Sequence, residues 1–414
     1  MNEEKQKFRL TSLERAWILY DVGNSAFVLL VATLIPIFFN ALAEGGGLSS
    51  VEYLAYWGYA ASAVTVITAV LSPILGTLAD TRNFKKPIFI FCVAVGVIGC
   101  CAMGMASTWL PFLLIFIFAK VGFSGSLVFY DSMLSDVTVP DRMDEVSSKG
   151  YAWGYIGSCV PFVVCLALVL GAGSIGISQM TALNLALFIT AAWWLVTTLP
   201  LLRQYKQVHF VEVQEHAIRQ SFARIGHTLR HLKEDRQVFW FLLAFFCYID
   251  GVYTIIDMAT AYGTALGLDT TGLLLALLVT QIVAFPSALV FGRLSGQYPS
   301  GTLIPVCIAA YAGIALFAFF LKHQWQFWVL AVVVGMFQGG IQALSRSHFA
   351  KIIPPEKSGE YFGLFDICGK GASFLGTMIV SVGSQLTGSA NVGVGSLIVL
   401  FIVGFVLFRV SDQK

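Results

Sequence analysis

Apolar residues gather along this chain into stretches long enough to cross a bilayer, separated by short polar connections. A spanning helix needs about 20 mostly apolar residues. Twelve such stretches can be placed, near Trp17–Asn40, Leu54–Ala79, Pro87–Ser107, Trp109–Asp136, Gly150–Gly171, Met180–Leu201, Val238–Gly263, Gly272–Leu294, Leu303–Leu321, Trp325–Phe349, Tyr361–Gln385 and Val392–Arg409. This predicts an all-α membrane protein with twelve transmembrane helices. Connections after even-numbered helices hold Arg82, Lys85, Lys86, Arg142, Lys149, Arg293, Lys351 and Lys357, while those after odd-numbered helices hold only Lys322. Positive charge stays on the cytoplasmic side, so both termini are expected inside, with the cell (inner) membrane as the expected location.

The longest connection lies mid-chain, and the pattern changes there. Ile218, Phe222, Ile225, Leu229 and Leu232 recur at steps of four and three, flanked by Arg219, Arg224, Arg230 and Lys233. That is an amphipathic helix. The chain therefore divides into a first six-helix bundle over 1–202, a cytoplasmic linker over 203–237 and a second six-helix bundle over 238–414. The two bundles echo each other. Gly76-Thr-Leu-Ala-Asp80 is matched by Gly292-Arg-Leu-Ser-Gly296, and VGFSGSLVFYDS from Val121 by VGMFQGGIQALSRS from Val334. Two repeats with a midplane site between them is a transporter plan.

Composition fits this picture: 57% of residues are hydrophobic and 12% charged, against about 25% charged in soluble domains. A net charge of +2 gives no reason to expect a nucleic-acid partner. The eight cysteines lie in apolar runs without a CxxC pair, and no signal-peptide pattern opens the sequence. Gly363 to Lys370 has the wrong spacing for a phosphate loop, and Gly122-Phe-Ser-Gly-Ser is not a nucleophile elbow. No histidine falls at mid-depth. Neither an enzyme, a cofactor nor a metal site is expected.

Gly76-Thr-Leu-Ala-Asp80, with Arg82, Lys85 and Lys86, resembles the signature loop between helices two and three of the major facilitator superfamily. The resemblance extends over nearly the whole chain. Thr81 and Asn83 depart from it, standing where the family favours Arg and Gly; Asn tolerates left-handed backbone. Trp17-Ile-Leu-Tyr-Asp-Val-Gly-Asn-Ser-Ala-Phe27, Ser147-Ser-Lys-Gly-Tyr-Ala-Trp-Gly154 and Glu360-Tyr-Phe-Gly-Leu-Phe-Asp-Ile-Cys-Gly-Lys370 resemble the branch of fungal vacuolar amino-acid effluxers of autophagy and their bacterial relatives. The resemblance implies a secondary transporter working by alternating access, expected as a monomer among membrane lipids. Its solute would be small, polar and organic, with an amino acid favoured and protons as the coupling ion. A uniporter or exporter of another metabolite, and a membrane sensor that binds a solute without moving it, are the alternatives.

In the superfamily, helices one, four, seven and ten line the path. Here they carry Asp21 and Asn24; Lys120, Tyr130 and Asp131; Asp250 and Asp257; Gln338 and Gln342. Asp366 and Lys370 in helix eleven stand at ion-pair spacing. Lys120, Asp250 and Lys370 fall near mid-depth by their distance along each helix, where an unpaired charge is expensive. They form the expected substrate site with Gln338, Gln342, Asn24 and Tyr130. Asp250, Asp257 and Asp366 are the expected proton carriers. Asp21, Asp80, Asp131, Asp136 and Arg142 are expected to make a cytoplasmic gate.

Overall fold

A computed structural model describes residues 9–212, 230, 232 and 235–412, apart from side chains at 50, 51, 53, 54, 260, 261, 264, 265, 270, 271, 274 and 370–374. The expected linker stripe from Ile218 to Leu229 lies outside the described residues. The first half contains α1 (Ser12–Ala32), α2 (Leu34–Gly45), α3 (Ser50–Ala79), α4 (Lys85–Met103), α5 (Trp109–Ser132), α6 (Leu134–Val137), α7 (Met143–Leu170) and α8 (Gln179–Gln204). The second contains α9 (Arg236–Ala265), α10 (Thr270–Leu294), α11 (Ser300–Phe319), α12 (Gln324–Ile352), α13 (Ser358–Thr387), α14 (Ala390–Gly395) and α15 (Ile398–Asp412).

Eleven of the described helical segments are long and apolar enough to cross a membrane. The 30-residue α13 covers the remaining expected stretch. Local chemistry explains where boundaries differ from the sequence reading. The first span starts earlier, at a capping box in which Thr11 accepts from the Glu14 N–H and Glu14 from the Thr11 N–H. It then breaks at Thr33 (φ −130°, ψ −74°), because Pro36 has no N–H to donate to the Ala32 carbonyl. The fifth span begins at Met143 instead of Gly150. Asp144 and Ser147 read as loop because they are polar, yet they are helical and buried.

Within the first half, α1 packs on α7 and α8, and α4 on α5 and α8; within the second, α9 packs on α13 and α15, and α10 on α12. The halves meet chiefly through α3 against α13 and through α7 against α10 and α12. Glycine permits the first of these approaches. A Cβ on Gly76 would overlap the Gly359 carbonyl, and one on Gly359 would stand 2.5 Å from the Gly76 oxygen. Twelve alternating crossings place both termini at one end of the bundle, called here the termini end. The named contacts between the halves all lie in the half of each helix nearer that end.

Candidate functional site

Arg346 is the centre of the termini end. It projects from α12 in the second half and is 2% exposed. Its Nη1 donates to Asp131 Oδ1 at 3.0 Å and lies 3.5 Å from Asp21 Oδ2. Nε donates to the Ser147 hydroxyl at 2.9 Å, and Nη2 to the Ser147 carbonyl at 3.0 Å. The guanidinium stacks over Tyr151 at 4.3 Å and Trp17 at 4.6 Å. A planar fork of five donors between two aromatic faces is a task lysine cannot perform. The first half holds its side of the cage rigidly. Tyr130 donates to Asp21 at 3.0 Å, Trp17 donates to the Tyr130 carbonyl at 2.9 Å, and the two rings stack at 4.3 Å.

A second contact flanks it. Lys351 pairs with Asp144 at 2.6 Å, and Ser347 donates to the same carboxylate at 2.6 Å. Tyr155 donates to Gln342 at 2.7 Å, Ser72 to Asp366 at 2.8 Å, and Trp153 meets Phe285 edge-on, each across the halves.

The third contact joins the signature loop to α13. Asp80 accepts the N–H groups of Gly359 and Glu360 at 2.7 and 2.8 Å, where the positive end of the helix dipole favours an anion. Lys85, fully buried, stands 3.8 Å from Asp80 and 3.7 Å from Asp136, and donates to Ser358 at 2.8 Å. Burial pushes the Asp80 carboxyl up to about 7, against the opposing pull of Lys85 and the two N–H groups. The turn survives the family's missing glycine because Asn83 adopts φ 65°. Thr81 forms a β-bridge with Val211, so residues 205–212 lie as a strap along this loop. The strap's His209 ring lies 3.0 Å from Asp136, which also accepts from Tyr205 at 2.6 Å and the His209 N–H at 2.8 Å. Burial acts to raise Asp136, but His209, Lys85 and Tyr205 together hold it below the usual carboxylate range. Asp136 in turn raises His209.

Mid-depth is built differently. Lys120 is half-buried, 4.8 Å above the Phe123 ring and 6.0 Å from that of Phe27. Across the halves and within electrostatic range of it stands Asp257 of α9, an exposed residue. Thr254 and Met258, on either side of Asp257 along α9, help line a largely apolar cavity of the second half, with Thr280, Gln281 and Gln338 also in its walls. Among the described residues, no group of three His, Cys, Asp or Glu side chains is placed to hold a metal ion.

The chain matches the family described as "Vacuole effluxer Atg22 like" over residues 12–141 and 135–414. It is 42% identical over 411 residues to the MFS-type transporter YxiO of Bacillus subtilis, across 98% of this chain and 96% of that one. The chain belongs to the Atg22-like family. Autophagy-related protein 22 of Saccharomyces cerevisiae is 25% identical over 315 residues, or 66% of this chain and 59% of that protein. With the Coccidioides immitis protein of the same name the match spans about half of the relative's length, 51%. Among solved structures, the transporter FucP in its outward conformation matches with TM-score 0.73 at 16% identity, over 97% of this chain and 98% of that one. The human organic anion transporter MFSD10 matches at 0.72 and 13%, over 96% and 98%. The fold is the twelve-helix major facilitator fold, in a superfamily of transporters and not enzymes.

In this Atg22-like chain the residues singled out from sequence separate into groups. Asp21, Tyr130 and Asp131 converge on Arg346, so Tyr130 sits in the closed end and not at mid-depth. Gln342 and Asp366 also bridge the halves there. Asn24 donates to the Tyr20 carbonyl of its own helix at 3.0 Å. Asp136 and Arg142 find partners without crossing the halves: Asp136 at the strap, and Arg142 at Glu14, 2.7 Å away. Asp250 turns toward α13, accepting from the Gly376 N–H at 2.9 Å and Thr254 at 3.3 Å, and its Oδ2 is buried without a hydrogen-bond partner among the described residues. It therefore does not join Lys120; Asp257 takes that place. The side chain of Lys370 lies outside the described residues. Arg346, Ser147 and Tyr151 escaped the sequence reading. The repeat itself carried a signal, since aligning FYDS with LSRS sets Asp131 opposite Arg346.

Proposed function

We propose that this protein is a secondary active transporter for a small polar organic solute, an amino acid being favoured, and that Lys120 and Asp257 hold its charged ends. One observation carries the reading: Lys120 of the first half and Asp257 of the second stand within electrostatic range of each other, and the helix that carries Asp257 also lines a cavity of the second half. A lysine takes a carboxylate as a point charge, and Asp257 is suited to an ammonium group. Gln338 and Thr254 line the adjoining cavity, whose apolar wall would receive the rest of the solute. With the basic connections cytoplasmic, the closed termini end faces the cytoplasm and the solute site faces outward, in the cell membrane. Protons are the proposed coupling ion. Asp250 supports this, because a carboxylate with one buried oxygen that finds no partner among the described residues is poorly suited to remain ionised.

The test is exchange of labelled amino acids across sealed proteoliposomes. Wild type should exchange at least one of them. Lys120→Ala and Asp257→Asn should each lower uptake tenfold or more. Full exchange in both variants would remove the site, and binding without exchange would make the protein a sensor.

A further inference from the structure

The carboxylates that hold Arg346 both belong to the first half, whereas Arg346 belongs to the second. Asp21 on α1 and Asp131 on α5 share one guanidinium nitrogen. Any motion that parts the halves at the termini end withdraws that cation and leaves two carboxylates facing one space. The groups around them cannot replace it. Tyr130 and Asn24 are neutral, Tyr151 and Tyr155 face the pair from α7, Tyr253 from α9 and Asp366 from α13. Asp366 adds further negative charge. Two carboxylates in one site cannot both stay ionised at low cost, and they titrate as a unit.

We propose that the Asp21–Asp131 pair is a proton-binding site that fills when Arg346 withdraws, so that opening the termini end takes up one proton from that side. This rests on the proton-coupled reading above and adds to it the place where proton and conformation meet. Arg346 and the proton compete for one site. The closed end excludes the proton, and the protonated pair no longer draws Arg346 back. No bond other than the O–H forms, and water on the termini side supplies the proton.

The test needs no solute. Spin labels on Arg203→Cys and Gln297→Cys, both exposed at the termini end on opposite halves, report open and closed populations in lipid by their distance distribution. In the wild-type background the open-to-closed ratio should rise up to tenfold for each unit of falling pH, as uptake of one proton requires. Asp131→Asn and Asp21→Asn should each flatten that dependence. Two results would overturn the proposal. The first is a full slope in both gate variants. The second is a slope of opposite sign, which would point to Asp80, whose buried carboxyl would release a proton on exposure. A flat response with intact solute exchange would sink this site alone, whereas a full response without exchange would sink the substrate reading alone.

Discussion

The two ends of this molecule treat polar groups in opposite ways. At the termini end, Arg346, Lys351, Asp80 and Asp144 each find a charge or hydrogen-bond partner in the other half. Toward mid-depth, Lys120 lies against aromatic rings, Asp257 is exposed, and the space beside them is apolar. Dense pairing marks where the halves are docked. Buried ion pairs stabilise little against an apolar interface, but losing one partner is severe. A latch of this kind is therefore weak in net energy and strong in specificity: it fixes how the halves register and can still be undone.

Breaking the latch at its centre should have the largest effect. Arg346→Ala strands Asp21 and Asp131, which for a buried pair amounts to about 3–5 kcal/mol. The closed population should collapse, visible as longer distances between labels at 203 and 297. Gly76→Ala tests the close approach of α3 and α13, where overpacking typically amounts to about 1–3 kcal/mol. It should open the termini end without touching a charge, and solute affinity measured from the far end should stay unchanged. Tyr155→Phe removes one hydrogen bond to Gln342, worth about 1 kcal/mol, and should shift the same distances only slightly.

The smallest effect should be the pH response of the strap. His209 is raised in the folded protein, so its contribution is complete below about 6.5, the unfolded value, and fades as pH rises through the raised value. Asp136 is depressed, so its share is present above about 3.9 and fades only as pH falls further. Hydrogen-exchange protection over residues 205–212, taken relative to the intrinsic exchange rate at each pH, should therefore fall on going from mildly acidic to alkaline pH, and His209→Gln should remove that change. An unchanged profile in the variant would separate the strap from His209.

The same contrast explains what could be read from sequence. The helical membrane fold and its spans follow from hydrophobic length, which acts locally, so they were legible. Asp21, Asp80 and Asp131 were legible as residues in need of a partner because charge inside or beside a spanning helix is rare. The partner was not. Arg346 reads as an ordinary basic residue near a helix end, and its place between Asp21, Asp131 and Ser147 is set by how three other helices dock. Helical spacing puts Asp250 and Asp257 on one face of α9, but it does not say which neighbour each meets. Asp250 meets α13, and Asp257 comes within electrostatic range of Lys120. Asp144 and Ser147 misled for the reverse reason: their polarity serves a buried contact with α12, and it mimics a loop.

One measurement bears most directly on a molecule whose termini end is closed by this latch. Asp257→Cys, in sealed vesicles of known orientation, can be challenged with a membrane-impermeant thiol reagent from either side. With the latch intact, modification should be fast from the far side and slow from the termini side. With Arg346→Ala added, it should become fast from the termini side. Equal modification from both sides in the intact latch, or no change on removing Arg346, would contradict the account.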